Sequence, residues 1–264
     1  MKKIVSLLGS TLLLGTMQFA NAVELDASIK HNPNNGVIHV YGPGGPDTAL
    51  KAAAKAYQAK TGTKVIITAG PESEWTKQAQ KDADLIFGSS EQSMSAFVET
   101  YPFITEADVK PLYIRPAVIA VQKGNPKGIH SFKDLLDKPV KIVVTEGKGV
   151  YNTSGTGVWE DIAGRLGSIE DVKNIRSKII SFEKGSGASF KAFLKGADAW
   201  ITWAHWPLTN PDKVDLVNIE PERRIYRDLP VAQTKGADKA TSKFITYLTS
   251  PEAAKYFYKE GWTK

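Results

Sequence analysis

The chain contains no cysteine and only four histidines in 264 residues. Without cysteine there is no disulfide, no thiol nucleophile and no thiolate-bound metal. The fold must rest on core burial alone, which a chain of this length can supply. His31, His39, His130 and His205 are scattered without metal-ligand spacing. There is no Gly-x-Ser-x-Gly elbow, no Walker loop and no His-Glu-x-x-His helix. Two acid pairs occur, Asp82 with Asp84 and Glu160 with Asp161, but the first flanks a strand-like run and the second lies on a helical surface. These absences argue against an enzyme, and neither cofactor nor metal is expected. No Arg/Lys-rich run interleaved with aromatics is present, which argues against a nucleic-acid partner. Beyond the first 22 residues, no apolar run approaches the roughly 18 residues of a membrane-spanning helix.

What is present begins at the N-terminus. Met1-Lys2-Lys3 is basic, Ile4 to Phe19 is largely apolar around Leu12-Leu13-Leu14, and Ala20-Asn21-Ala22 supplies small residues before a break. This pattern is that of a secretory signal peptide over residues 1–22, with the periplasm as destination and no membrane insertion after cleavage. Lys2 and Lys3 are two of the 34 basic residues, so the remaining chain has a surplus of four over its 28 acids. A surplus of this size is a solvated surface that also raises the local concentration of small anions.

Val23 to Asn35 is polar and reads as a loose leader. Thereafter short apolar runs alternate with helical patterns, which predicts an α/β class with mainly parallel strands. Strands are expected at 37–41, 64–69, 83–87, 140–145, 179–182, 197–203 and 214–219. Helices are expected at 47–60, 74–81, 131–136, from Gly157 to about Leu166, up to Leu194, at 239–248 and after Ser250-Pro251-Glu252. Residues 111–121 form one extended segment with Pro116 at its middle, suited to run from one sheet into another and leave its proline at the crossing. The chain turns again at 223–230.

Several strands end in loops rich in Gly, Ser, Thr or Pro: 42–46, 88–90, 152–157, 185–187 and 70–73. Helix N-termini expose unpaired N–H groups and a partial positive charge, which suits anions. One such loop is ordinary turn chemistry; five in one chain favour a shared anion site. Arg115 and Arg227 each sit beside an expected crossing. Each either offers its planar donor fork to an anion or forms a salt bridge between lobes. Lys148 is either a cleft cation or an exposed loop residue, with exposure favoured. Trp200 reads as core, and Trp203, His205 and Trp206 as a cleft wall.

Three runs carry a family resemblance: Tyr41-Gly42-Pro43-Gly44-Gly45-Pro46, Asp84-Leu85-Ile86-Phe87-Gly88, and Asn152-Thr153-Ser154-Gly155-Thr156-Gly157-Val158-Trp159-Glu160-Asp161. Ala197 to Trp203 and Gly261-Trp262 add to them. From about Ile38 to Trp262 the chain resembles the type II periplasmic solute-binding proteins, in the branch of molybdate and sulfate binders. More closely, it is similar to accessory colonization factor C and its relatives. The resemblance implies two α/β lobes joined by two crossover strands, with lobe 1 at 37–115 and 228–264 and lobe 2 at 116–227. It also implies ligand contacts from Gly44, Gly45, Ser89, Ser90, Thr153, Ser154, Gly155 and Thr156, with Arg115 and Arg227 as additions. Molybdate binders place a Ser hydroxyl in the first loop, where this chain has Gly44-Gly45-Pro46. That departure favours a small multivalent anion over molybdate: a di- or tricarboxylate such as citrate, a phospho-acid, or a sulfate-like oxyanion. The expected role is capture for an ABC permease or a chemoreceptor, with homodimerisation as a further possibility of the family. A surface adhesin or colonisation factor with a vestigial cleft is the alternative that the family name raises.

Overall fold

Period-2 alternation sends successive side chains of a strand to opposite faces, and this rule sorts the core. The computed structural model describes residues 23–147 and 154–264; the expected signal peptide lies outside the described residues. Two sheets are built from nine strands. The first runs β2 (Val65–Ala69), β1 (Ile38–Gly42), β3 (Leu85–Phe87) and β9 (Tyr226–Gln233), then the first half of β4 (Val109–Gln122). The second runs from the other half of β4 through β7 (Ala199–Trp203) and β5 (Ile142–Thr145) to β6 (Ile179–Glu183), with β8 (Val214–Asn218) on the far side of β4.

Each sheet is covered on both faces. Ile38, Val40, Leu85 and Phe87 point to α1 (Asp47–Thr61), α9 (Thr241–Leu248) and α10 (Pro251–Tyr258). Tyr41 and Ile86 point the other way, to Trp75 and Ala79 on α2 (Glu72–Asp82) and Met94 and Phe97 on α3 (Glu91–Thr100). In the second sheet, Ala117, Ile119, Ile142, Val144 and Ile201 meet α4 (Phe132–Asp137), α5 (Val158–Ala163) and α6 (Ile169–Lys178). Ala120, Val143 and Trp200 face Phe193 of α7 (Ser186–Leu194), with Trp206 of α8 (His205–Thr209) against that cluster. Trp200 is core, as its sequence context indicates.

The crossing at Pro116 is where the sequence puts it. Val109 to Pro116 pairs with β9, and Ala117 to Val121 pairs with β7. The return crossing differs from the expected turn at 223–230. The chain turns at 221–223, and Tyr226 to Gln233 is a strand. Pro230 is tolerated there because it faces Pro111 next to a register shift, so neither ring is required to donate to the other. Pairing is parallel among β2, β1 and β3 and among β6, β5 and β7, and antiparallel wherever β4, β8 or β9 joins. Two helices, α3 and α6, lie where the sequence analysis expects no element. The segment 23–35 is irregular as expected but not loose: Asn32 N–H donates to the Lys81 carbonyl at 2.8 Å, and His31 stacks on Phe103 at 3.8 Å.

Two buried carboxyls set a pH dependence. Asp84 is fully buried and accepts from the His39 and Asp238 N–H groups. Burial nevertheless raises its pKa from 3.8 to about 6, and burial raises that of Glu260 from 4.5 to about 7. Both hold protons more tightly in the folded chain, so their contribution is complete below the unfolded values and is lost as pH rises through the folded ones. The thermal midpoint of the ligand-free protein is therefore expected to fall between about pH 4 and pH 7. Glu260→Gln should remove the upper part of that fall; an unchanged profile in this variant would exclude Glu260 as its source.

Candidate functional site around Arg115

Arg115 leaves β4 one residue before the crossing, so its side chain lies where the two sheets meet. It is 1 % exposed. Its guanidinium is sandwiched between the Trp203 ring at 4.7 Å, from the end of β7, and the Trp262 ring at 4.4 Å, from the C-terminal segment. Nη2 donates to the Ser89 carbonyl at 3.1 Å and to Ser154 Oγ at 3.0 Å; Nη1 lies 3.2 Å from His205 Nδ1. Nε has no partner. Five stretches of chain, remote in sequence, thus converge on one cation: the loops after β1 and β3, residue 154 ahead of α5, the start of α8, and the C-terminus. Gly45 belongs to the set because a Cβ there would stand 3.2 Å from Nη1 and 3.4 Å from Nη2. The gathering of loops at the carboxyl ends of parallel strands is where α/β sheets bind ligands.

Electrostatically the arrangement is incomplete. A buried charge is costly unless it is paired. Yet among the described residues no carboxylate lies within 4.0 Å of Arg115, whereas Arg223 and Arg227 both have such partners. Asp228 on β9 acts on Arg115 from beyond that distance. Burial lowers the Arg115 pKa to about 9, which leaves it a cation at neutral pH. Burial, reinforced by the Arg115 charge, holds His205 well below the usual imidazole range, so its ring is neutral. Accepting from Arg115 at Nδ1 places the ring hydrogen on Nε2. Thr156 Oγ1 and Trp262 Nε1 are likewise buried without a hydrogen-bond partner among the described residues.

The residues singled out in the sequence divide accordingly. Gly45, Ser89, Arg115 and Ser154 come together. Gly155 has a packing role: a Cβ there would lie 2.7 Å from Thr145 Cβ, so glycine lets this loop close onto β5 and present Ser154 and Thr156. Thr153 and Lys148 lie outside the described residues. Gly44 is exposed with nothing within 4 Å of its Cβ position. The Ser90 hydroxyl caps α3 by accepting from the Ser93 N–H, while Ser93 Oγ accepts from the Ser90 N–H, so Ser90 is engaged in its helix end. Arg227 takes the salt-bridge alternative: it donates to Asp161 at 2.6 Å, in an open groove with Glu160, Arg165 and Arg224. Arg227→Ala is therefore expected to change anion affinity by less than about threefold, the scale of an exposed ion pair; a loss of tenfold or more in a binding titration would place it in the site. The hydrogen bonds of Arg115 go to Ser89, Ser154 and His205, none of which lies in the Gly70–Ser73 or Gly185–Gly187 loops. His205 and Trp203, read from the sequence as cleft wall, contact the cation directly. Trp262 joins them from the other end of the chain, and only its Gly-Trp motif signalled it.

The fold has counterparts among solved structures. The crystal structure of PEB3 with L-phospholactate bound superposes with a TM-score of 0.82 at 47% identity, over 86% of this chain and 99% of that one. Peb3 from Campylobacter jejuni gives 0.81 at 46% over the same shares. The sulfate-binding protein SubI from Mycobacterium tuberculosis H37Rv shares the fold, with a TM-score of 0.68 at 17% identity over 86% of each chain. In sequence, the sulfate-binding protein of Escherichia coli (strain K12) is 26% identical over 173 residues, 56% of this chain, and the chain matches about half (51%) of that protein's length. These neighbours are binding proteins, not enzymes. Residues 38–263 match the family described as bacterial extracellular solute-binding protein, and the chain belongs to that family.

Proposed function

We propose that the protein is a periplasmic receptor that captures a small multivalent anion against Arg115. The observation that supports this reading most strongly is the buried guanidinium that has no carboxylate partner among the described residues and lies against two indoles. Such a cation lacks its counter-charge until a ligand supplies it. In this reading the lobes are 37–115 with 228–264, and 116–227, and the ligand sits in the cleft between them. The Gly45 N–H, the Ser89, Ser154 and Thr156 hydroxyls and Arg115 donate to it. The L-phospholactate bound to PEB3 and the sulfate named for the more distant relatives favour a phospho-acid, a carboxylate of similar charge such as citrate, or sulfate. Delivery to an ABC permease or a chemoreceptor completes the role.

A thermal-shift panel of L-phospholactate, phosphoglycerate, citrate, sulfate, phosphate and molybdate tests it. Ligand at a hundredfold its Kd stabilises by about 2.7 kcal/mol, a rise of several degrees for a chain of this size. A selective shift with one or more of these anions is expected. A flat panel, on protein unfolded and refolded to strip trapped ligand, would contradict the receptor reading and turn attention to adhesion.

A further inference from the structure

We infer that His205 is a charge-matching residue of the anion site: a dianion that binds Arg115 draws one proton from solvent onto the His205 ring. This rests on the receptor reading above and specifies the charge class that the site selects.

The geometry gives the reason. His205 Nδ1 stands 3.2 Å from Arg115 Nη1, so the imidazole is held as a neutral acceptor by the same cation that attracts the ligand. Of the described charged groups, Arg115 on β4 is the one that acts on His205. Asp228 on β9 faces Arg115, and Arg227 faces Asp228 in turn, while Glu91 of α3 shares its field. From the C-terminal segment and from β7 the neighbours of Arg115 are the uncharged Trp262 and Trp203. The built charge at the contact is therefore +1. A monoanion neutralises it. A dianion leaves one negative charge in a buried place, and a nearby neutral imidazole is the group able to offset it. When the anion accepts the Nη1–H, Nδ1 loses its donor and is free to take a proton; the imidazolium N–H then donates to the same anion. No bond other than the N–H forms, and the proton comes from bulk water.

Calorimetric titration with sulfate and methyl sulfate, which share a tetrahedral head and keep charges of −2 and −1 across pH 5.5–8, tests this. L-phospholactate serves as a third probe. Repeating each titration in buffers of different ionisation enthalpy counts protons taken up. Sulfate is expected to bind with uptake approaching one proton and an affinity that falls about tenfold per pH unit above neutrality, as one-proton linkage requires. Methyl sulfate, where it binds, should take up none. His205→Gln keeps a side chain that can accept from Arg115 but cannot ionise, and should bind sulfate with no uptake and no pH slope. Sulfate or L-phospholactate binding without proton uptake to the wild type, or uptake unchanged in His205→Gln, would overturn the proposal while leaving the receptor reading intact. Failure of all three probes to bind would overturn both.

Discussion

Replacing Arg115 by Met is expected to cut anion-induced stabilisation by half or more while leaving the ligand-free protein as stable as before, or more so. The two halves of this result follow from the same fact. Arg115 is buried, stacked between Trp203 and Trp262, and has no carboxylate within ion-pair distance among the described residues. Its desolvation is offset by hydrogen bonds to Ser89, Ser154 and His205, but not by an opposite charge in contact. Substituting a buried charge by an apolar side chain of similar length is commonly neutral or stabilising. Methionine fills the slot between the indoles at the cost of leaving the Ser89 carbonyl without its donor. For the ligand, by contrast, the loss of a charge-assisted donor costs about 1.5–3 kcal/mol, some 10- to 150-fold in Kd. Thermal melts with and without a stabilising anion check both halves at once. A variant that is severely destabilised without ligand would show that Arg115 serves the fold, and an undiminished anion shift would remove it from the site.

The second large effect is at Gly261. This residue has φ +79°, and a Cβ added there would stand 2.5 Å from Ala204 Cβ and 3.1 Å from Leu208 Cδ1. Ala204 has no rotamer to turn away, so the C-terminal segment itself must move. Overpacking of this kind costs about 1–3 kcal/mol, and a left-handed alanine adds about 1–2 kcal/mol. Gly261→Ala is accordingly expected to lower the midpoint by roughly 5–15 °C. It should also weaken anion binding, because Trp262 is the next residue and covers Arg115, while Thr263 pairs with Ile114 beside it. Gly62→Ala is the control: its φ is +73° with nothing within 4 Å of the added Cβ, so it carries the backbone strain without the collision. Equal losses in the two variants would show that the close approach to Ala204 does not matter.

Much of the fold was legible because it follows from local rules. The alternation of Ile38, Val40 and Tyr41, the proline within the long extended segment, and the loops after 41 and 87 each carry their meaning within a few residues. α6 escaped notice because Ile175 is its one buried residue, which leaves no apolar stripe to read. β9 was read as a turn because Pro230 discourages a central strand, and only pairing with Pro111 across the sheet removes the objection. The site shows the same boundary. Gly45, Ser89 and Ser154 announce themselves by loop chemistry. By that measure, Ser90 and Arg227 looked equally eligible. What separates them is their partners: Ser90 is tied to Ser93 by a local cap one turn along its helix, and Arg227 finds Asp161 66 residues away. His205 meets Arg115 across 90 positions, a relation that no spacing encodes.

The central claim is that a bound anion contacts Arg115, and the most direct measurement is the arginine side-chain ¹H–¹⁵N spectrum of the labelled protein. The Arg115 Nε–H is buried and has no partner among the described residues, so it should give a resolved resonance that is absent from Arg115→Met. Saturation with an anion that stabilises the protein is predicted to shift this resonance while those of the exposed arginines stay in place. An anion that raises the thermal midpoint yet leaves the Arg115 signal unmoved would contradict the account.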